Sequence, residues 1–235
     1  MKHFKNELFC VAFVILASCN GKTVDTTNAD SSKMASADTL AIIQPELPAP
    51  DVTLKVPEGF TSTIFAGGLG KARHIAVTPG GYVYVKLDSK KDGKTIVELK
   101  DKNNDGVADE EALFGDFEGT GMAVKNGYLY ASSNTDVYRY KLNDDGTVSN
   151  PNNPERIVTG LIARNEHEAK PMALDDSGNL YVTIGAFSNS CQIADRKTGS
   201  MGIKPCPVLD SAGGIWEFKA DKQNQTYGDG VRYAS

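Results

Sequence analysis

An acidic loop in the first half of the chain has the residue types and spacing of a calcium site. Asp101, Asn103 and Asp105 place side-chain oxygens at alternate positions, and a glycine follows where such a loop must turn sharply. Alternate oxygens can face one centre, and Ca²⁺ prefers hard oxygen ligands. The backbone carbonyl of Val107 and the carboxylate of Asp109 supply further oxygens. The loop therefore predicts a structural Ca²⁺ site that has no catalytic role.

The same loop also fits a simpler interpretation. Position 12 of the calcium-loop template is Ala112, so the bidentate glutamate is missing, and Asp109, Glu110 or Glu111 would have to replace it. The flanking residues have strand-like rather than helical patterns, which argues against a helix–loop–helix calcium motif. An acidic, solvated turn between two strands is the alternative, and both interpretations stay open at this point.

The chain begins like an exported lipoprotein. Basic residues precede a short apolar run that ends in Leu16-Ala17-Ser18-Cys19, and this run is shorter than a membrane-spanning helix. Its end resembles a bacterial lipobox, the signal for lipid attachment to cysteine. We expect residues 1–18 to be a lipoprotein signal peptide and Cys19 to be lipidated. Residues 19–54 are polar and aperiodic, so they predict a disordered tether. A plain signal peptide or an N-terminal anchor helix is the alternative.

Export has a consequence for two other cysteines. It would place the protein in an oxidising compartment, on the periplasmic side of a membrane or at the cell surface, anchored to the membrane through the lipid. Cys191 and Cys206 lie in one insertion that follows Gly185. We therefore expect a local disulfide that closes this insertion.

Composition limits the class of protein. The chain has 235 residues, 40% of them hydrophobic, which is enough for a globular core. The formal net charge of -5 argues against a nucleic-acid partner, because a protein that binds the phosphate backbone carries a basic surplus. Glycine and proline are frequent enough to indicate many turns.

A repeat predicts the fold. Each copy is an apolar strand, a short glycine-containing turn and a second apolar strand with tyrosine, and the matching alanines Ala76, Ala123 and Ala173 lie 47 and 50 positions apart. Such a period, made of short strands, is typical of β-propeller blades. We therefore predict an all-β fold for residues 55–235, with three to four blades, each a four-stranded antiparallel sheet. An unrelated β-sandwich is the alternative.

The arithmetic of the repeat predicts an incomplete propeller. At this period the folded part holds fewer than four blades, whereas propellers commonly close with four to eight. The last residues, 230–235, show no pattern of a closing strand. We expect the sequence to be the N-terminal piece of a longer protein.

One stretch carries a family resemblance. From His167 to Gly185 the chain reads His-Glu-Ala-Lys-Pro-Met-Ala-Leu-Asp-Asp-Ser-Gly-Asn-Leu-Tyr-Val-Thr-Ile-Gly. This resembles the quinoprotein glucose/sorbosone dehydrogenase family, in which a histidine opens a blade and a Tyr-x-Thr-Ile-Gly strand ends beside the cofactor. The strand Gly214–Phe218 also resembles the sorbosone dehydrogenase branch.

The resemblance implies a function. It implies a six-bladed propeller that binds pyrroloquinoline quinone (PQQ) and Ca²⁺ and oxidises a sugar, a sugar aldehyde or a related alcohol. His167 would be the general base, a task for which a neutral imidazole is suited. Gln192 would contact the quinone, and an electron acceptor such as a cytochrome would reoxidise it. An Arg-Asn pair and the remaining Ca²⁺ ligands would follow Ser235.

Two other function classes remain open. A propeller can be a non-catalytic surface module that binds a glycan or a protein, since fold alone does not define function. A Ca²⁺-dependent hydrolase such as a lactonase would need acidic ligands around the central channel, and none is evident where the blades begin.

Overall fold

Residues 54–233 form three blades of antiparallel strands in a computed structural model of the chain. The predicted signal peptide, Cys19 and the predicted tether up to residue 53 lie outside the described residues. Within the described part, no helix is long and apolar enough to cross a membrane.

The blades follow one another along the chain. Blade 1 has the order β1-β2-β3-β4, blade 2 has β5-β6-β7-β8, and blade 3 has β9-β10-β11-β13. The strands are β1 (Ala72–Val77), β2 (Tyr82–Lys91), β3 (Lys94–Lys100), β4 (Glu110–Phe114), β5 (Met122–Lys125), β6 (Tyr128–Ser132), β7 (Val137–Lys141), β8 (Glu155–Thr159), β9 (Met172–Leu174), β10 (Leu180–Ile184), β11 (Gly214–Phe218), β12 (Gln225–Thr226) and β13 (Val231–Tyr233). Two short 3₁₀ turns, Pro207–Asp210 and Tyr227–Asp229, are the only helical elements among residues 54–233.

The inner hairpin of each blade is closed by turn residues that the sequence supplies. In blade 2, Asn126 and Gly127 have φ of 49° and 76°, and they join β5 to β6. Two consecutive positive φ values match the right-handed twist of the strands on either side, which is why an Asn-Gly pair favours a tight hairpin. The repeated glycine-containing turns are therefore what set the register of the inner strands.

Apolar side chains fill the spaces between the blades. One cluster joins blades 1 and 2 through residues such as Tyr84, Phe114 and Met122. A second cluster joins blades 2 and 3, with Val158 and Trp216 among its buried members. Residues 65–69 cover the remaining face of blade 1. Because each strand alternates its side chains, both faces of the middle strands are buried and the blades pack face to face.

The innermost strands β1, β5 and β9 stand side by side and line an open depression of about 400 Å³. This arrangement of inner strands is that of successive propeller blades, so the prediction of an all-β propeller is confirmed, and the described residues form three of the three to four blades that we predict. Two details were not predicted. Val231–Tyr233 is the outermost strand of blade 3, although residues 230–235 were expected to contain no closing strand, and β12 pairs in parallel with β8 as a fifth strand of blade 2.

Candidate active site

Four connecting segments meet at one end of the blades, here called the upper face: residues 115–121, 133–136, 160–171 and 185–213. They meet because β9 and β10 are antiparallel, so the residue before β9 lies beside the residue after β10, and the same holds for β5 and β6. Loops at one end of a rigid sheet scaffold are the usual place for a functional site. The described chain therefore brings His167 and Gly185 to the same face.

His167 is exposed and held in an uncommon backbone conformation. Its φ is 48°, in the left-handed region that residues other than glycine rarely adopt. Its Nδ1 lies 2.6 Å from the carbonyl oxygen of Ala186. A carbonyl oxygen only accepts hydrogen bonds, so Nδ1 carries the proton, and Nε2 is then the basic nitrogen of the neutral ring. No residue among 54–233 forms a hydrogen bond with Nε2.

The backbone of His167 packs directly against Gly185. A Cβ on Gly185 would stand 2.2 Å from the His167 carbonyl oxygen and 2.6 Å from the His167 Cβ, so a side chain at this position would displace the histidine. The glycine that ends the Tyr-Val-Thr-Ile-Gly strand is therefore required by the close approach of the two segments.

Charged side chains lie in the two segments that meet at His167. The guanidinium of Arg164 lies over the ring of Phe187, 4.2 Å from its centroid. Glu166 pairs with Arg196 of the disulfide-closed loop at 3.2 Å, so this carboxylate faces that loop. The two segments that meet at His167 thus contain two exposed guanidinium groups, one over an aromatic ring and one paired with the carboxylates of Glu166 and Asp195.

A buried hydrogen-bond network lies just below this surface. Ser132 Oγ donates to the Lys170 carbonyl at 3.0 Å and accepts from the Gly121 amide at 2.9 Å. The Lys170 amide donates to Thr120 Oγ1 at 3.2 Å, and the Lys170 ammonium donates to the Glu168 carbonyl at 2.5 Å. Burial lowers the pKa of Lys170 to about 8, although the carboxylate of Glu168 opposes this shift.

A second buried lysine lies in the middle of β2. Lys86 is fully buried and donates to the Phe117 carbonyl at 2.7 Å. Burial lowers its pKa to about 7, against the opposing effect of the Glu118 and Asp88 carboxylates. Sequence reasoning missed Lys86, Lys170, Ser132 and Thr120, because isolated lysines and hydroxyls in a sequence usually indicate a solvated surface.

The two cysteines of the insertion are bonded. Cys191 and Cys206 form a disulfide with a Cα–Cα distance of 5.9 Å, and the enclosed chain folds back in an isolated bridge between Gln192 and Gly202. Within this loop the amide nitrogen of Gln192 donates to the Ser200 carbonyl at 3.1 Å, and its amide oxygen accepts from Ser190 at 2.6 Å. Contact between Gln192 and a quinone remains a prediction.

The predicted calcium loop lies at the opposite end of the blades. It connects β3 to β4, and Lys100 beside it donates to the Gly80 carbonyl of the β1–β2 turn at 2.6 Å.

The carboxylates of the loop accept hydrogen bonds from its own backbone. Asp101 accepts from two loop amides at 2.7 and 2.9 Å, and Asp109 accepts from the Lys102 amide at 2.7 Å. Asp105 accepts from the Val107 amide at 2.8 Å. The carboxylates therefore cap loop amides, and the topology separates this loop from His167.

No group of three or more His, Cys, Asp or Glu side chains in residues 54–233 is arranged to hold a metal ion. The Ca²⁺ site formed by Asp101, Asn103, Asp105, Val107 and Asp109 stays a prediction, since a loop site also uses amide and backbone oxygens.

Comparison with known proteins agrees with this architecture. The model of the TrAA12-like family matches residues 54–234. The iodide structure of a Trichoderma reesei carbohydrate-active enzyme of family AA12 superposes with a TM-score of 0.58 at 20% identity, over 77% of this chain and 46% of that one. The calcium structure from family AA12 of the same organism gives a TM-score of 0.55 at 20% identity, over 72% and 41%.

A third similar structure is a domain named after its cofactor. The holo form of the PQQ domain of pyranose dehydrogenase from Coprinopsis cinerea has a TM-score of 0.58 at 18% identity, and the match covers 78% of this chain and 42% of that one. The chain spans less than half the length of each of these three structures. No curated protein matches the chain. The family model covers most of the chain, and the solved structures, each at 20% identity or less, show the same fold, in agreement with the resemblance to quinoprotein sugar dehydrogenases.

Proposed function

The chain belongs to the TrAA12-like family, and from this premise we propose that it is part of a PQQ-dependent dehydrogenase that oxidises a sugar, a sugar aldehyde or a related alcohol. His167 is the general base. The observation that carries the proposal is the hydrogen bond from Nδ1 of His167 to the Ala186 carbonyl, which leaves Nε2 basic and accessible at the upper face.

The chemistry assigned to His167 follows from its geometry. Oxidation of an alcohol removes a proton from oxygen and a hydride from carbon, and the proton needs a base within hydrogen-bond reach. Nε2 of His167 takes the hydroxyl proton of the substrate, and the Ala186 carbonyl stabilises the imidazolium that results, because it already accepts from Nδ1. The quinone supplies the two-electron, hydride-accepting chemistry when it is bound.

The residues around His167 fit the quinone. PQQ is a flat, polyanionic molecule, and the guanidinium of Arg164, in the same segment as His167, would attract its carboxylates. Arg196 lies in the connection that follows β10 and is already paired with Glu166 and Asp195. Phe187 adds an apolar face beside Arg164. The described residues do not fit the calcium ion that the family resemblance implies beside the quinone, since no acidic or histidine cluster among them adjoins His167, and we derive no step through it.

Substrate, partners and location are part of the same proposal. The reduced cofactor needs an electron acceptor, for which a cytochrome is a suitable class of partner. The Cys191–Cys206 disulfide supports an oxidising compartment, and the Leu16–Cys19 sequence supports a lipid anchor on the outer side of a membrane. Fractionation of cells that express Cys19→Ser tests the anchor: we expect the variant to leave the membrane fraction, and an unchanged membrane fraction contradicts it.

The function is tested on the protein encoded by the complete reading frame. We expect PQQ to bind, as followed by calorimetry, and the loaded protein to reduce an artificial electron acceptor when aldoses or aldehydes are supplied. Omission of the quinone is the control. A protein that binds no PQQ and oxidises no member of a broad panel of sugars and alcohols contradicts the proposal, and binding to glycan or protein arrays would then favour a non-catalytic surface propeller.

A further inference from the structure

We propose that Thr120 and Ser132 are positioning residues for His167 and that they act through the backbone of Lys170. Residues at the upper end of blade 2 would thus hold the proposed base beside blade 3. The inference rests on the proposed function, since it assigns residues to the same site. It concerns two buried side chains that reach His167 only through the backbone of Lys170.

The first step is that two side chains form hydrogen bonds with the backbone of Lys170. Thr120 Oγ1 accepts from the Lys170 amide, and Ser132 Oγ donates to the Lys170 carbonyl, so both polar groups of this residue's backbone are bound by blade 2. Ser132 is fully buried and Thr120 is 9% exposed, so water does not compete freely for these bonds. Loss of either hydroxyl would leave a buried backbone group without a partner, which is strongly unfavourable.

The second step is the closeness of the contact. A Cβ on Gly121 would stand 2.1 Å from the Lys170 carbonyl oxygen and 2.8 Å from Ser132 Oγ. The two segments therefore meet at backbone distance, and Lys170 has little freedom to shift relative to blade 2.

The third step connects Lys170 to His167. The buried Lys170 ammonium donates to the Glu168 carbonyl, which ties residues 168–170 into one compact unit directly after His167. On its other side, His167 is held by blade 3 through the Ala186 carbonyl and by its packing against Gly185. A left-handed histidine persists only where its surroundings hold it there, and here the surroundings come from two blades.

The test uses matched variants. Ser132→Ala and Thr120→Val each remove one of the two hydroxyls. Thr120→Ser keeps the hydroxyl at position 120 and removes only the methyl group. Ser133→Ala is the control, because the Ser133 hydroxyl bonds only within its own turn, accepting from the Asp136 amide at 2.8 Å and the Thr135 amide at 3.2 Å.

The first readout needs no cofactor. The chain has three histidines, so the imidazole signals of His167 can be assigned by NMR with the aid of His74→Gln. At about pH 8, where an ordinary histidine is mostly neutral, we expect the Nδ1-protonated tautomer in the unaltered protein, in Ser133→Ala and in Thr120→Ser. In Ser132→Ala and Thr120→Val we expect the other tautomer to become populated, because the bond to Ala186 is weakened.

The second readout is turnover of the PQQ-loaded protein. We expect Ser132→Ala to lower kcat about 10²-fold, the order that a 1 Å misplacement of a catalytic group produces, with quinone affinity unchanged. The inference is overturned if Ser132→Ala and Thr120→Val match Ser133→Ala in tautomer or in kcat. If the unaltered protein shows no quinone-dependent turnover, the proposed function fails, while the tautomer comparison still decides whether blade 2 holds His167.

Discussion

Gly185 and His167 are in backbone contact: the space for a Gly185 side chain is occupied by the carbonyl group and the Cβ of His167. This contact joins the end of the central strand of blade 3 to the segment that enters the blade. It explains why a glycine ends the Tyr-Val-Thr-Ile-Gly strand, since any larger residue would move the proposed base away from the Ala186 carbonyl.

We expect Gly185→Ala to destabilise the protein by about 1–3 kcal/mol, the usual penalty of forcing extra volume into a packed site. Chemical denaturation measures this loss. Gly202→Ala, in the same connection, is the control, because a Cβ there meets no atom within 4 Å. Equal free energies of unfolding of the two variants would show that the segment of His167 moves aside for the new methyl group at no cost in stability.

The proposed base makes a kinetic prediction. We expect His167→Ala to lower the oxidation rate by roughly 10²–10⁴-fold, the usual contribution of a general base, with little loss of stability because the side chain is exposed. Steady-state kinetics of the PQQ-loaded protein measure the rate, and quinone affinity, expected to be unchanged, serves as the control. Turnover equal to that of the unaltered protein would remove His167 from the catalytic role.

Lys86 predicts a pH dependence of stability. The folded protein has a Lys86 pKa of about 7, whereas an unperturbed lysine has 10.5, so between these values the unfolded chain binds a proton that the folded chain lacks. The free energy of unfolding therefore gains a contribution that rises with pH across this window, by up to about 1.4 kcal/mol per pH unit, and that is lost as the pH falls through about 7.

Lys86→Met tests this contribution. We expect the stability of the unaltered protein relative to the variant to increase from about pH 7 to about pH 9, as measured by urea denaturation. Lys90→Met, which removes an exposed lysine from the same strand, is the control and should give a constant difference. A constant difference for Lys86→Met as well would mean that the buried amine stays charged.

The disulfide should contribute through the unfolded state. Cys191 and Cys206 are separated by 15 positions, and closing a loop of this length stabilises by about 3 kcal/mol in the chain-entropy treatment. We expect the double variant Cys191→Ser/Cys206→Ser to lose up to this amount in denaturation experiments. Treatment of the unaltered protein with a reductant should give the same loss, and an unaffected stability in both experiments would contradict the prediction.

The loop between β3 and β4 makes the metal prediction. If it binds Ca²⁺, Asp105→Ala should lower the Tm in calcium but leave it unchanged in chelator, since only the metal-bound state uses that ligand. Asp144→Ala, an exposed acidic residue in another turn, is the control. Equal changes in Tm under both conditions would identify the loop as an amide-capping turn, the role its carboxylates already fill.

The sequence by itself determined the propeller fold and the position of the candidate base. Strand alternation and turn glycines are local properties that recur with the blade period, so they predict three to four blades. The uninterrupted stretch from His167 to Gly185 indicates the family. These signals need no knowledge of which segments touch.

Only the tertiary structure decided how His167 is held. Ser132 and Lys170 are 38 positions apart in the sequence, and nothing local distinguishes a hydroxyl that binds a distant carbonyl from one that faces water. The outermost strand Val231–Tyr233 escaped prediction for a similar reason: it is short, and its pairing with β11 rather than its own pattern makes it a strand. Three further features depend on packing between segments that are distant in the sequence: the tautomer of His167, the burial of Lys86 and the close contact that requires glycine at position 185. Such contacts exist only once the chain has folded.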